Sequence, residues 1–181
     1  FIDIGSNMGF YTQYIASIIN DKKKIKIISI DAHPINNFRL KENLKLLKDK
    51  IPNIFSFVKI KNCAVGDRNT VLNLNFSHGL ANAFITKNKK NMLVKCRKLI
   101  DIVNEEKLKY ITNLKIDIEG YEDKVLISFL NNCKKKLVPK NIILEHSEKN
   151  IWKNDLFQFL FRFGYKEIYK NKSNTILNFK K

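Results

Sequence analysis

The chain has 181 residues, 44% of them hydrophobic and 28% charged, which suits one domain around one core and excludes a disordered chain. No apolar run approaches the ~18 residues of a membrane-spanning helix, so an integral helical membrane protein is excluded too. The formal charge of +17 invites an anionic partner, yet only four of the 34 basic residues are arginines, and nucleic-acid readers lean on the planar guanidinium.

The lysines are scattered through runs at 22–24, 87–90 and 134–136 and read as solvated faces. No sequence-specific nucleic-acid binding is expected, while peripheral contact with an anionic lipid or glycan surface stays a lesser option. Cys63, Cys96 and Cys133 are odd in number, far apart and without a C-x-x-C pair, which argues against a disulfide framework or a zinc site. A reducing compartment, the cytoplasm, is the expectation. The opening F-I-D-I-G already reads as the inside of a strand, so one domain over 1–181 that lacks its natural N-terminal segment is expected.

In chain order, the pattern predicts a strand at 1–4, a glycine turn at 5–9 and a helix at 10–20 whose apolar face is Tyr11, Ile15, Ile18 and Ile19. A strand at 25–30 follows, then a helix at 36–48 with Leu40, Leu44 and Leu47 inward, and a strand at 55–64. The stretch 66–98 is irregular, with strands at 71–76 and 93–96 separated by a polar loop over 78–91. A short helix at 99–106 leads to a strand at 114–118, and Val125, Leu126, Phe129 and Leu130 mark another helix. After Pro139 come a strand at 142–145, a helix over Leu156 to Phe161 stopped by Gly164, and an antiparallel hairpin of 165–169 with 175–179. Strands alternating with helices imply an α/β Rossmann-like architecture, a mostly parallel sheet covered on both faces, without repeats or linkers. The aromatic run 152–163 has helical spacing and reads as core.

Three constellations carry chemistry. In the first, Asp3 ends a strand and Gly5, Ser6, Asn7, Met8 and Gly9 form a turn in which the glycines would let a ligand approach the backbone. In the second, Asp31, followed by Ala32, ends the next strand 26 residues beyond Gly5, where a carboxylate can accept the two hydroxyls of a ribose. The spacing of Gly5 and Gly9 is not G-x-G-x-x-G, and Asp3 would repel a pyrophosphate, so S-adenosylmethionine, with its amino and sulfonium cations, is favoured over a dinucleotide.

In the third, Asp117, Glu119 and Glu122 lie at the end of one strand beside Glu145 and His146 at the end of the next. Ionisable groups converge there where a methyl group would be delivered, and a hydroxyl acceptor needs a base. Glu119 leads, then Asp117, with Glu145 and His146 as reserves. Set against this, Glu122 suits the first turn of its helix through the macrodipole, and Glu145 with His146 could be a hydrogen-bonded pair with no catalytic part. His33 and His78 sit in loops and read as solvated. A divalent cation ranks below metal-free catalysis.

These residues resemble the FkbM-type methyltransferases, a branch of the class I S-adenosylmethionine-dependent fold. The blocks that carry the resemblance are D-I-G-S-N-M-G-F-Y-T (3–12), D-A-H-P-I-N-N-F-R-L (31–40), N-C-A-V-G-D (62–67), L-K-I-D-I-E-G-Y-E-D-K-V-L (114–126) and I-L-E-H (143–146). The resemblance implies that Asp3, Gly5, Asn7 and Gly9, with Ser6 in the same turn, hold the methionine portion of S-adenosylmethionine. It gives Asp31 and the adjoining Ala32 the ribose, and sets Ala64 and Val65 beside the adenine. Where the family has F-E-P-x-P this chain has I-D-A-H-P, one methylene shorter at the acid. The implied activity is O-methylation of a small molecule or a glycan. The rivals are a nucleic-acid methyltransferase, supported by charge alone, and a cofactor-binding or interaction module without turnover.

Overall fold

The structure, a computed structural model, describes residues 1–19, 25–75, 84–85 and 92–180. The first half runs β1 (Ile2–Ile4), α1 (Phe10–Ile18), β2 (Ile27–Asp31), α2 (Pro34–Leu46), a single turn α3 (Ile54–Phe57) and β3 (Val58–Asn62). Next come β4 (Ala64–Gly66), β5 (Thr70–Asn75), β6 (Phe84–Ile85), β7 (Met92–Lys98) and α4 (Leu99–Glu105). The chain closes with β8 (Asn113–Ile116), α5 (Glu122–Asn132), β9 (Asn141–Glu145), α6 (Leu156–Phe163), β10 (Tyr165–Lys170) and β11 (Asn174–Phe179). Among the described residues the main sheet has the order β3-β2-β1-β8-β9-β11-β10, and β11 alone runs against the rest.

Strand alternation sorts the apolar residues to two faces. Ile2 and Ile4 of β1, Ile28 and Ile30 of β2, and Leu114 and Ile116 of β8 join the larger core with α4, α5 and α6. Ile27 turns the other way and packs with Ala16, Leu40, Leu44, Ile54, Phe57 and Val58. Gly164 ends α6 in the left-handed conformation expected of it, at φ 115°. Trp152, Phe157, Phe159 and Phe163 rest against the larger core, as the helical spacing of that run implies.

Two elements differ from the sequence expectation. The buried residues of α1 are Thr12 and Ala16, whereas Tyr11 and Ile18 are 43% and 52% exposed. The small side chains let the helix lie close on β1 and β2, and the bulky ones are turned outward. The strand expected over 55–64 is broken twice. Ile54, Phe57 and Val58 enter the smaller core at the i, i+3, i+4 spacing of a helical turn, and after Cys63 the chain leaves the main sheet. β4 pairs in parallel with β7 in a second sheet of order β4-β7-β5-β6, which organises the stretch read as irregular. The loop expected over 78–91 lies outside the described residues except for β6. No helix among the described residues is long and apolar enough to cross a membrane.

Candidate active site

The carboxyl ends of β1, β2, β8 and β9 meet along one edge of the sheet. After β1, Gly5 (φ 72°) and Ser6 both donate their N–H to the Ile30 carbonyl, at 2.9 and 3.1 Å, folding the turn over the end of β2. A Cβ on Gly5 would sit 1.7 Å from the Asp117 carbonyl oxygen, and one on Gly9 (φ 85°) would sit 2.2 Å from Leu40 Cδ1. The two glycines therefore admit the close approach of the β8 loop and of α2. Ser6 is 6% exposed, and its hydroxyl has no hydrogen-bond partner among the described residues.

Asp31 stands where expected, at the end of β2, and is already engaged. Oδ2 accepts from Asn7 N at 2.8 Å, and Oδ1 accepts from His33 N at 2.8 Å and Asn36 Nδ2 at 3.2 Å. A carboxylate offers about four lone-pair positions, so one remains, on Oδ2, enough for one ribose hydroxyl instead of two. Burial raises the Asp31 pKa above its ordinary value, against the opposing hydrogen bonds. Ala32 is half-buried beside it, and Asn62 Nδ2 binds the carbonyls of both residues. His33 is 5% exposed and caps α2, its Nδ1 accepting from Ile35 N at 3.1 Å, so the expectation of a solvated loop histidine is corrected. Its pKa is lowered, first by desolvation. His78 lies outside the described residues.

Asp3 does not reach the edge. It faces α1 from mid-strand with no exposed surface, accepts from the Thr12 hydroxyl at 2.8 Å, and lies 3.8 Å from Lys115 Nζ. The direct ligand contact expected of Asp3 gives way to support from beneath, because α1 seals it. Desolvation raises its pKa, with Lys115 as the main opposing influence. Lys115, a register neighbour of Asp3, has its side chain 6% exposed, reaches Asp117 Oδ2 at 3.3 Å, and carries the Tyr11 ring 5.1 Å from its ammonium. Nothing in the composition singled this lysine out; the available signal was its position inside the apolar run L-K-I.

Asp117 lies just beyond β8, which ends at Ile116, and begins a loop rather than closing a strand. Glu119, at φ 54°, takes a left-handed conformation unusual for a residue with a side chain. Its carboxyl is half-buried and pushed up to about 7, first by desolvation and then by Asp117, Glu145, Glu148 and Glu122. Glu122 is 1% exposed and clamps this loop: Oε1 accepts from Ile118 N at 2.8 Å and Gly120 N at 3.3 Å, and Oε2 from Trp152 Nε1 at 2.8 Å. That clamp, not the helix macrodipole alone, explains its place. Asp123 does the same for the next segment, Oδ2 accepting from Lys153 N, Asn154 N and Asn154 Nδ2.

Glu145 and His146 are not paired with one another. Glu145 Oε1 accepts from Ser147 N at 2.7 Å, while His146 is 4% exposed with its ring edge-on to Phe157, and its Nε2 has no partner among the described residues. Ala64 is half-buried and Val65 buried in β4. A cleft of about 460 Å³ opens beside the Glu122 clamp, lined by Trp152, Phe157, Lys149, Lys153 and Asn154 among others. Among the described residues no group of three His, Cys, Asp or Glu side chains is placed to hold a metal ion.

A glycine turn after the first strand, an acid ending the second, and a sheet in which only the inserted β11 is reversed define a class I methyltransferase fold. The chain belongs to the FkbM methyltransferase domain family, whose match covers residues 3–167. Among solved structures it is similar to the methyltransferase FkbM from Methylobacillus flagellatus KT, with TM-score 0.61 and 19% identity over 99% of this chain and 42% of that one. It is also similar to the N-terminal domain of human METTL16, with TM-score 0.52 and 14% identity over 99% of this chain and 60% of that one. Both likenesses concern the fold, and this chain spans less than two thirds of either relative's length. No curated protein matches it.

Proposed function

We propose that the protein transfers a methyl group from S-adenosylmethionine to a hydroxyl of a small molecule or glycan in the cytoplasm, with Glu119 as the base. The observation that carries this is Glu119 itself: a carboxylate in strained backbone, poised near neutrality, on the same edge as the Gly5 turn and Asp31. A base with a pKa near the working pH combines a useful ionised fraction with proton affinity.

The residues present fit the cofactor by their chemistry. The free lone pair of Asp31 suits a ribose hydroxyl, the unpartnered Ser6 hydroxyl suits the polar methionine end, and Ala64 and Val65 offer apolar surface to an adenine. Asn7, Gly5 and Gly9 shape the turn, Ala32 flanks Asp31, and Asp3 supports the turn from below. Bound there, S-adenosylmethionine supplies an electrophilic methyl carbon whose bond to sulfur breaks as the acceptor oxygen bonds to it, leaving a neutral thioether. Glu119 takes the hydroxyl proton, and Asp117 and Glu145 lie close enough to raise its proton affinity. His146 is too buried to be the first choice. For a hydroxylated acceptor, the Trp152 and Phe157 cleft combines aromatic surface with amide and ammonium groups.

Calorimetry with S-adenosylmethionine, S-adenosylhomocysteine and NAD tests the cofactor, and an acceptor screen that follows S-adenosylhomocysteine release tests the reaction. Binding of NAD as tight as that of S-adenosylmethionine would overturn the cofactor assignment.

A further inference from the structure

Lys115 is the one cation that the described residues place against this acidic edge from within the sheet. Its ammonium lies 3.3 Å from Asp117 Oδ2 and 3.8 Å from Asp3 Oδ1, and Asp3 Oδ1 has no hydrogen bond among the described residues. A buried lysine is costly unless its charge is matched, and two carboxylates with an aromatic face match it here. Glu119, two residues beyond Asp117, has no ion-pair partner among the described residues and faces Asp117 on its own loop, Glu122 on α5, Glu145 on β9 and Glu148 after it. The two carboxylates of the same loop thus meet opposite surroundings: one is tied to a cation in the sheet, the other is ringed by acids.

We propose that Lys115 is a positioning residue that ties Asp117 to the sheet and offsets its charge beside Glu119, which limits how tightly Glu119 holds its proton. The inference rests on the reading of Glu119 as the base, and it assigns the division of labour between the two acids to a residue that touches neither acceptor nor cofactor. Without the ammonium, Asp117 stands uncompensated beside Glu119, and the proton on Glu119 is held more tightly.

The experiment is a carbon-13 titration of protein labelled at the glutamate carboxyl carbon, with the Glu119 line identified by its loss in Glu119→Gln. In the parent, that line titrates near 7. In Lys115→Met its midpoint rises by about half a pH unit or more, and in Lys115→Arg it returns toward the parent value. A folded Lys115→Met protein whose Glu119 midpoint matches the parent overturns the proposal. If that variant does not fold, the Asp3→Asn, Lys115→Met pair removes the stranded buried carboxylate. The same rise is then expected, and its absence is equally decisive. No cofactor is present in the titration, so a failure to bind S-adenosylmethionine by calorimetry would count against the cofactor reading alone.

Discussion

Glu119 is held in a form that the unfolded chain would not favour, and replacing it by glutamine should reveal this as a pH-dependent gain in stability. Its carboxyl is raised from 4.5 to about 7, a shift that corresponds to ~3 kcal/mol for a fully buried group. Glu119 is only half-buried, and solvent screening reduces the figure to ~1–2 kcal/mol. Below pH 4.5 the carboxyl is protonated in both states, and the folded protein bears no cost. As pH rises from 4.5 through 7 the unfolded chain ionises first, so stability falls over that window and the full cost is present above it. Glu119→Gln should therefore match the parent near pH 4.5 and exceed it by ~1–2 kcal/mol at pH 8 in urea unfolding. Glu119→Gly should add a further ~1 kcal/mol at both pH values by relieving the positive φ. A difference between Glu119→Gln and the parent that is the same at both pH values would refute the reasoning, since only ionisation of the folded carboxyl can make it vary.

Asp31→Ala should weaken S-adenosylmethionine binding by ~1.5–3 kcal/mol in calorimetry, because it removes both an acceptor and the anchor of the Asn7 and His33 amides; unchanged affinity would remove Asp31 from the site. Gly5→Ala must accommodate a Cβ at 1.7 Å from the Asp117 carbonyl as well as a positive φ, so a loss of ~3 kcal/mol or more is expected in thermal or urea unfolding. Trp152→Phe leaves Glu122 Oε2 without its indole donor and should cost ~1–3 kcal/mol in the same assay; a neutral outcome would show that the clamp does not need it.

The main sheet was legible where hydrophobic periodicity was strong. The apolar run of β2, the Leu40 and Leu44 stripe of α2, the α5 face and the Gly164 stop all lie where their patterns place them. In the second sheet β5 and β7 lie where strands were expected, but β4 and β6, only three and two residues long, are too short for a period to register. The inner face of α1 was read correctly at Ile15, which packs on the smaller core, but not at Tyr11 and Ile18, for a different reason. Side-chain size sets which residues can approach a sheet closely, and Thr12 with Ala16 outcompetes Tyr11 with Ile18 despite lower hydrophobicity. At the site, residue types and strand ends located Asp31, Asp117 and Glu119, but not their partners. The hold of Lys115 on Asp3 depends on register between strands distant in sequence, and that of Trp152 on Glu122 on a contact 30 residues away, neither of which a local pattern encodes.

The placement of these acids also bears on how a cationic cofactor approaches a chain of net charge +17. Averaged over the surface, such a charge repels a cation and attracts an anion. Seven of the 17 acidic residues, Asp3, Asp31, Asp117, Glu119, Glu122, Glu145 and Glu148, are nevertheless gathered at or beneath one edge of the sheet. At physiological ionic strength the repulsion from remote lysines fades over ~8 Å, whereas acids lining a partly buried edge act at contact range, where screening is weak. Local sign therefore governs what binds at the edge, and the surrounding lysines govern what is drawn toward it. An acceptor bearing a negative group would be guided by the body of the protein, while the acids of the edge would favour a cation at contact range. Lys115 sits at the boundary of these two fields: it offsets a negative charge of the edge while its own ammonium stays buried.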